Sequence, residues 1–223
     1  MQKSINSEIN QRGLHLINMN FLTFHKQFFK QGCINIHQIY AWQPNFEKTN
    51  LTRWIKRSLL IKLRNGFYTF PEYLTKNDFA YYISNQIYAP SYISMHTVLA
   101  FYDIIPEAVT SITAVTTLKT SNFKNKFGDF SYNTVRSNLF FGYEPKFWQD
   151  ERVFMIATPE KALLDLLYLY PFYATEEALE ELRLDEEFLH SSFNVEHFRK
   201  YLEQFQSPAL DKRAKLFLKV YDL

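Results

Sequence analysis

Residues 52–70 have the sequence TRWIKRSLLIKLRNGFYTF, and this stretch decides the fold predicted for the first part of the chain. From Leu51, the residue just before this stretch, apolar side chains recur at the three-to-four-residue spacing of one helix face: Leu51, Trp54, Ile55 and Leu59. The cations of the same segment fall on the opposite side: Arg53, Lys56 and Arg57. We predict a helix that is capped by Asn50, packs one face against a core and exposes a cationic face.

The second half, IKLRNGFYTF, predicts a β-hairpin. Asn65-Gly66 favours a type I′ turn, because that turn needs positive φ at both central residues. With a two-residue loop, the predicted cross-strand pairs are Arg64–Phe67, Leu63–Tyr68, Lys62–Thr69 and Ile61–Phe70. The apolar members then face inward, whereas Lys62 and Arg64 share the outer face.

Two shorter helices are predicted ahead of this stretch. Asn20 can cap the first, whose rings share one face: Phe21, Phe24, Phe28 and Phe29. Asn35 can cap the second, whose inward side chains are Ile36, Ile39 and Tyr40. Three short helices followed by a basic hairpin is the order of a winged helix-turn-helix, which we predict for residues 1–75.

Positive charge is concentrated in the first part of the chain. Residues 1–90 carry eleven Lys and Arg against four Asp and Glu, and residues 91–223 carry fourteen against nineteen. A cationic helix beside a cationic hairpin fits double-stranded DNA. The predicted DNA-contacting residues are Asn50, Thr52, Arg53, Lys56, Arg57, Lys62, Arg64 and Asn65. Two alternatives stay open: faces that are only solvated, or a winged helix that binds a protein.

Residues 76–223 predict a mixed α+β domain with a helical C-terminal tail. Strands are expected at 109–118, around 130–132, at 139–143 and at 153–156. Helices are expected after Asp78, after a Ser94 cap and after the hydroxyl cap Thr158, with further helices beyond residue 171.

Two groups of polar residues in this domain are candidates for a contact. Lys161 and Asp165 are four residues apart on one helix face, where they form either a fold-supporting ion pair or a contact site. The segment 119–126 is expected to be a loop between strands. It is either simply solvated or a second contact surface built from Lys119, Lys124 and Lys126.

Other features argue against catalysis and cofactors. The one cysteine, Cys33, excludes a disulfide framework and suits a reducing cytosol, and Cys33 with His37 lacks the further ligands of a zinc site. Residues 1–13 are polar and unlike a signal peptide, and no apolar run approaches about 18 residues. The sequence has no phosphate-binding glycine loop and no nucleophile motif. We therefore expect a cytoplasmic protein that is not an enzyme and holds no cofactor or metal.

Three short motifs then occur in order: RNGFY at 64–68, PSYIS at 90–94 at an expected helix start, and ATPEKALLD at 157–165. In this combination, over roughly residues 18–170, the chain resembles the AbiEi family, the antitoxins of abortive-infection type IV toxin–antitoxin systems. The resemblance implies a bacterial autorepressor that binds inverted repeats in its own promoter, as two monomers or as a dimer. It also implies a second domain that counteracts a nucleotidyltransferase-like toxin without forming a stable complex with it.

An alternative within the same class is a winged-helix regulator whose second domain senses a ligand or binds a protein. The operator and the identity of the toxin are left open by the sequence.

Overall fold

The computed structural model describes residues 20–107, 109–148 and 152–223, and the chain divides into two units, Met1–Tyr73 and Leu74–Leu223. Both units combine helices with strands, which confirms the predicted α+β class. The polar segment 1–13 lies outside the described residues. No helix among the described residues is long and apolar enough to cross a bilayer.

The first unit has three helices and a small antiparallel sheet within its described residues. In chain order these are α1 (Phe21–Phe28), β1 (Ile34–Asn35), α2 (Ile36–Trp42), α3 (Thr49–Lys56), β2 (Ile61–Arg64) and β3 (Phe67–Thr69). The strand order is β1-β3-β2. Neighbouring strands are antiparallel.

Side-chain caps start the first two helices, as predicted. The Asn20 side chain accepts a hydrogen bond from the Thr23 backbone N–H at 2.9 Å. The Asn35 side chain caps α2 by accepting from the His37 backbone N–H. The Asn35 backbone N–H in turn donates to the Gln38 side chain, which completes a capping box. The prediction that Tyr40 faces inward is wrong, because its side chain lies at the surface.

Aromatic rings form the core of this unit. Phe24 of α1 lies 4.7 Å from Trp54 of α3 and 5.9 Å from Phe70, measured between ring centroids. Phe21 meets Trp54 edge-on at 5.5 Å. These contacts fix which side of α3 faces the core, and they therefore also fix which side faces solvent.

The second unit is built on a six-stranded mixed sheet of order β6-β7-β5-β4-β9-β8. Its strands are β4 (Ser91–Ile93), β5 (Ser111–Thr116), β6 (Ser121–Asn125), β7 (Gly128–Thr134), β8 (Tyr143–Trp148) and β9 (Arg152–Ala157). Central β4 runs antiparallel to β5 and parallel to β9.

The described helices of this unit follow the strands or lie between them. They are α4 (Phe79–Ile87), α5 (His96–Phe101), α6 (Pro159–Leu169), α7 (Glu176–Glu180), α8 (Glu186–Ser191), α9 (Val195–Phe205) and α10 (Pro208–Val220). Helix α6 is capped by Thr158, whose side chain accepts from the Lys161 N–H, as predicted. Residues 160–167 of α6 are buried.

Three predictions for this unit are wrong. The helix expected after Ser94 is present as α5, but Ser94 is not its cap: the helix begins at His96 without a side-chain cap, the Ser94 hydroxyl donates to Asp165, and residues 91–93 directly before it form the unpredicted strand β4. The expected loop 119–126 contains edge strand β6. The expected strand 139–143 is instead a short 3-10 turn, Ser137–Leu139, and a bend at Gly142, so β8 begins only at Tyr143.

Candidate nucleic-acid interface

Helix α3 begins two residues earlier and ends three residues earlier than its apolar spacing suggests. Lys48 precedes it without a side-chain cap, so the predicted Asn50 cap is wrong and Asn50 lies inside the first turn. The helix stops at Lys56 because Ser58 takes a left-handed backbone with φ of 57°. Leu51 and Trp54 are buried as predicted, whereas Leu59 lies beyond the helix and is half-buried.

The outward side of α3 carries the predicted cations. Thr52, Arg53, Lys56 and Arg57 are all exposed, and Asn50 is half-buried beside them. The Arg53 Nη2 donates to the Asn50 Oδ1 at 2.7 Å. The acceptor oxygen of Asn50 is therefore directed toward the next turn of the helix.

The hairpin differs from its predicted register. Arg64 pairs with Phe67 as expected, but Lys62 pairs with Tyr68 and Ile61 with Thr69, so a β-bulge lies between Lys62 and Arg64. Gly66 has a φ of 83° while Asn65 is not left-handed, so the predicted type I′ turn is wrong. The extra residue in the bulge, Leu63, is buried.

The bulge separates the two hairpin cations. Lys62 is exposed, and Arg64 is half-buried with its guanidinium 5.7 Å from the centre of the Phe67 ring. Asn65 is exposed at the tip. The turn is tied to α2, because the Ile36 N–H donates to the Gly66 carbonyl at 2.7 Å. The hairpin is therefore anchored to the body of the unit.

The charge of this surface is largely uncompensated by acids. Residues 20–73 carry eight Lys and Arg and two acids, Glu47 and Glu72. Glu72 pairs with His25 at 2.9 Å. Within the described part of the chain, Lys56, Arg57 and Lys62 have neither an ion pair nor a side-chain hydrogen bond. We refer to the exposed side chains of Thr52, Arg53, Lys56, Arg57 and Lys62 as the cationic face.

The second predicted surface is different in character. Lys119, Lys124 and Lys126 are exposed in or beside β6, an edge strand of the large sheet. Lys124 pairs with Asp129 of the adjacent strand at 3.1 Å. A lysine on an edge strand helps prevent the strand from pairing with other chains, so Lys124 has a structural explanation.

Lys161 and Asp165 form an ion pair with both side chains completely buried. This supports the fold-supporting interpretation, and the alternative of a contact site is wrong because no partner can reach the pair. Asp165 Oδ2 also accepts from the hydroxyls of Tyr92 and Ser94, at 2.9 and 2.8 Å. The Lys161 Nζ donates to the Tyr92 hydroxyl at 2.8 Å. These four residues, which we call the buried ion network, connect β4 to α6.

Burial governs the protonation of this network. It raises the pKa of the Asp165 carboxyl and lowers the pKa of the Lys161 ammonium, because each charged form has lost its water. The charge of each partner acts in the opposite direction. Burial, and then Asp165, raise the pKa of the Tyr92 phenol above its usual range. A single sequence predicts the Lys–Asp spacing but gives no signal that Tyr92 and Ser94 complete the network.

The second unit also contains a cavity of about 420 Å³. Its polar lining residues include His96, Glu107, Ser111, Thr113, Tyr173 and Glu181. His96 Nε2 is hydrogen-bonded to the Tyr173 hydroxyl at 3.1 Å. Burial lowers the pKa of His96, and Glu107 opposes that shift. The cavity has the volume of small-molecule sites.

The remaining candidate, Cys33 with His37, is not brought together as a site. Cys33 is buried and its burial raises the thiol pKa to about 12, whereas His37 is exposed. In the described ranges, no group of three or more His, Cys, Asp or Glu side chains is placed to hold a metal ion.

No family model matches the chain, and no curated protein matches its sequence. Assignment of a function therefore depends on the geometry above and on the resemblance of its motifs.

Proposed function

We propose that the first unit is a winged helix-turn-helix that binds double-stranded DNA and that the chain is a transcriptional autorepressor. The observation that carries this proposal is the cationic face, which combines a helix and a hairpin within one short segment. Its Lys56, Arg57 and Lys62 side chains are exposed and have no partner within the described residues.

The dimensions of the elements support this proposal. Helix α3 has eight residues, which corresponds to about 12 Å of axial length. An α-helix with its side chains is about 10–12 Å across, so the major groove, which is about 12 Å wide, admits it with its polar side toward the bases. The β2–β3 hairpin is four residues further along the chain and would contact the adjacent backbone as the wing.

The electrostatics support a polyanionic partner over a solvated surface. Each phosphate that a lysine or arginine neutralises releases condensed counterions, and this release drives binding to DNA. A protein partner of the same unit would have to supply several acidic groups and would lack this linear dependence on salt.

The motif resemblance supports a more specific role for the whole chain. On that basis we propose that the protein is an antitoxin of the AbiEi type, which represses its own promoter through inverted repeats. Its second unit would counteract a nucleotidyltransferase-like toxin without a stable complex. The described elements of that unit give it a core of its own, including the buried ion network.

A second candidate function is that of a regulator whose second unit senses a ligand. The cavity beside His96 favours it, because this cavity joins a half-buried histidine to hydroxyl and carboxylate groups. The gene next to this one discriminates the two. A nucleotidyltransferase-like neighbour supports the antitoxin, and an unrelated metabolic operon supports the sensor.

The direct experiment is a gel-shift assay with the DNA upstream of the gene. We expect the full chain to retard this fragment in the presence of unrelated competitor DNA. For the antitoxin role, co-expression of the full chain with the neighbouring toxin should restore growth, whereas residues 1–90 alone should not. No retardation of any duplex rejects DNA binding, and rescue by the N-terminal piece rejects the proposed role of the second unit.

A further inference from the structure

Asn50 and Arg53 differ from the rest of the proposed DNA-binding surface because they contact each other. The Arg53 guanidinium donates from Nη2 to the Asn50 Oδ1 at 2.7 Å. A guanidinium has only donors, so the contact itself identifies the amide oxygen as the acceptor. Both residues lie in the first turns of α3, which begins at Thr49.

The other cations of the cationic face are not held in this way. Lys56, Arg57 and Lys62 have no side-chain partner among the residues that the structure describes. A free lysine or arginine loses rotamer entropy when a ligand fixes it, which suits a phosphate contact of loose geometry. The hydrogen bond to Asn50 already restricts the rotamers of Arg53, and its planar guanidinium loses less entropy per hydrogen bond formed.

We infer that Arg53 recognises a guanine in the major groove and that Asn50 positions it, an inference that rests on the proposed DNA binding. Residues in the first turns of a recognition helix are the ones that meet base edges. A guanidinium has five N–H donors, so one bond to Asn50 leaves enough to bind guanine O6 and N7 together.

The same contact argues against adenine recognition by Asn50. An asparagine that binds adenine uses its amide oxygen and its NH₂ group together on one base edge. The Asn50 oxygen already accepts from Arg53, so the pair acts as one unit with the arginine outermost. Lys56, Arg57 and Lys62 then supply affinity without a base preference.

The test is a selection of duplexes from a library with a randomised core, followed by binding titrations of the enriched sequence. Wild type should enrich a guanine at one or more positions. Arg53→Lys should lower the preference for guanine over adenine there by about tenfold, because a lysine lacks the planar bidentate fork. Asn50→Ala should lower the same preference about three- to tenfold with the salt dependence unchanged.

Two variants separate positioning from other roles. Asn50→Asp keeps an acceptor for Arg53, so it should keep the guanine preference while its added negative charge weakens binding to every duplex. Lys56→Ala is the matched control: it should weaken all sequences equally and reduce the salt slope by about one.

The outcomes distinguish this inference from the proposed function. If wild type enriches no duplex at all, DNA binding fails and the inference fails with it. If wild type selects a sequence but Asn50→Ala and Arg53→Lys shift all sequences equally, as Lys56→Ala does, DNA binding stands and the assignment of Arg53 and Asn50 is overturned.

Discussion

The two units use cationic side chains in opposite ways. In the first, Arg53, Lys56 and Arg57 project from α3 into solvent, and the core beneath them consists of aromatic rings. In the second, Lys161 is completely enclosed, bonded to Asp165 and Tyr92 and packed against the rings of Phe141 and Phe205.

The contrast shows which charges the fold needs. A lysine without water or partners is costly, so Lys161 requires every member of the buried ion network and contributes to specifying how β4 meets α6. The cations on α3 are hydrated and lie outside the core, so folding does not require them. A surface that keeps such charges without needing them for stability is available for a partner.

The largest effect is expected from breaking the buried pair on one side. Asp165→Ala leaves the Lys161 ammonium buried without its counter-charge and should destabilise the second unit by about 3–5 kcal/mol. Lys161→Met should cost a similar amount, and the double variant Lys161→Met with Asp165→Leu should recover much of it. Urea unfolding, followed with hydrogen exchange of peptides from each unit, measures this.

The matched control is the exposed pair of Lys124 and Asp129, whose side chains are 82% and 49% exposed. Its single alanine variants should change the stability by less than about 1 kcal/mol. Additive losses in the Lys161/Asp165 double variant would contradict the account, since independent residues give no coupling energy.

A smaller effect is expected at Gly142, next to the same network. Its φ is 71°, and a Cβ placed there would lie 2.9 Å from the Lys161 Cγ. Gly142→Ala should therefore destabilise the second unit by about 1–3 kcal/mol through strain and displacement of Lys161. The first unit should keep its hydrogen-exchange pattern. An unchanged unfolding midpoint for the second unit would show that this backbone is not constrained as described.

The smallest effect is expected from His96. Burial keeps its pKa below the ordinary value of 6.5, so on acidification the unfolded chain takes up a proton before the folded one does. Its stabilising contribution is thus present above pH 6.5 and is lost as the pH falls through the folded pKa. Unfolding midpoints of the second unit at about pH 7.5 and about pH 5 measure the loss.

His96→Gln should reduce that pH dependence. The groups that face His96 include Tyr173, to which it is hydrogen-bonded, and the cavity carboxylates Glu107 and Glu181. A pH dependence that is the same in His96→Gln as in wild type would assign the effect to those carboxylates instead.

Local patterns in the sequence predicted much of this structure, and tertiary contacts account for the errors. Asn20, Asn35 and Thr158 are caps as expected, because a cap depends on its immediate neighbours. Asn50 fails as a cap because the helix already begins at Thr49, which places Asn50 inside the first turn. Ser94 fails as a cap because the helix begins at His96 after Met95, and the Ser94 hydroxyl instead donates a hydrogen bond to a carboxylate 71 residues away.

The hairpin and segment 90–94 likewise show that local patterns miss what tertiary contacts decide. Asn65-Gly66 located the turn correctly and Leu63 is buried as predicted, but the bulge at Leu63, which shifts the pairing of Lys62 and Ile61 by one residue, is not encoded in the dipeptide. Ser94 suggested a helix start, and α5 does follow at His96, but pairing with β5 and β9 made residues 91–93 the strand β4, which no local pattern indicated. The exposure of Arg53, Lys56 and Arg57 followed from spacing alone, since it needs only the helix period.

The central claim is that the cationic face of the first unit binds DNA. Its most direct test compares the salt dependence of DNA binding in two triple variants that each remove three positive charges. Arg53, Lys56 and Arg57 are replaced by alanine in one, and Lys119, Lys124 and Lys126 in the other. Affinity for the upstream duplex is titrated between about 50 and about 200 mM salt. We predict that the first variant loses most of its affinity and that its log–log salt slope falls by about three, while the second keeps the wild-type slope. Equal slopes in wild type and the first variant, with both units folded, would contradict the claim.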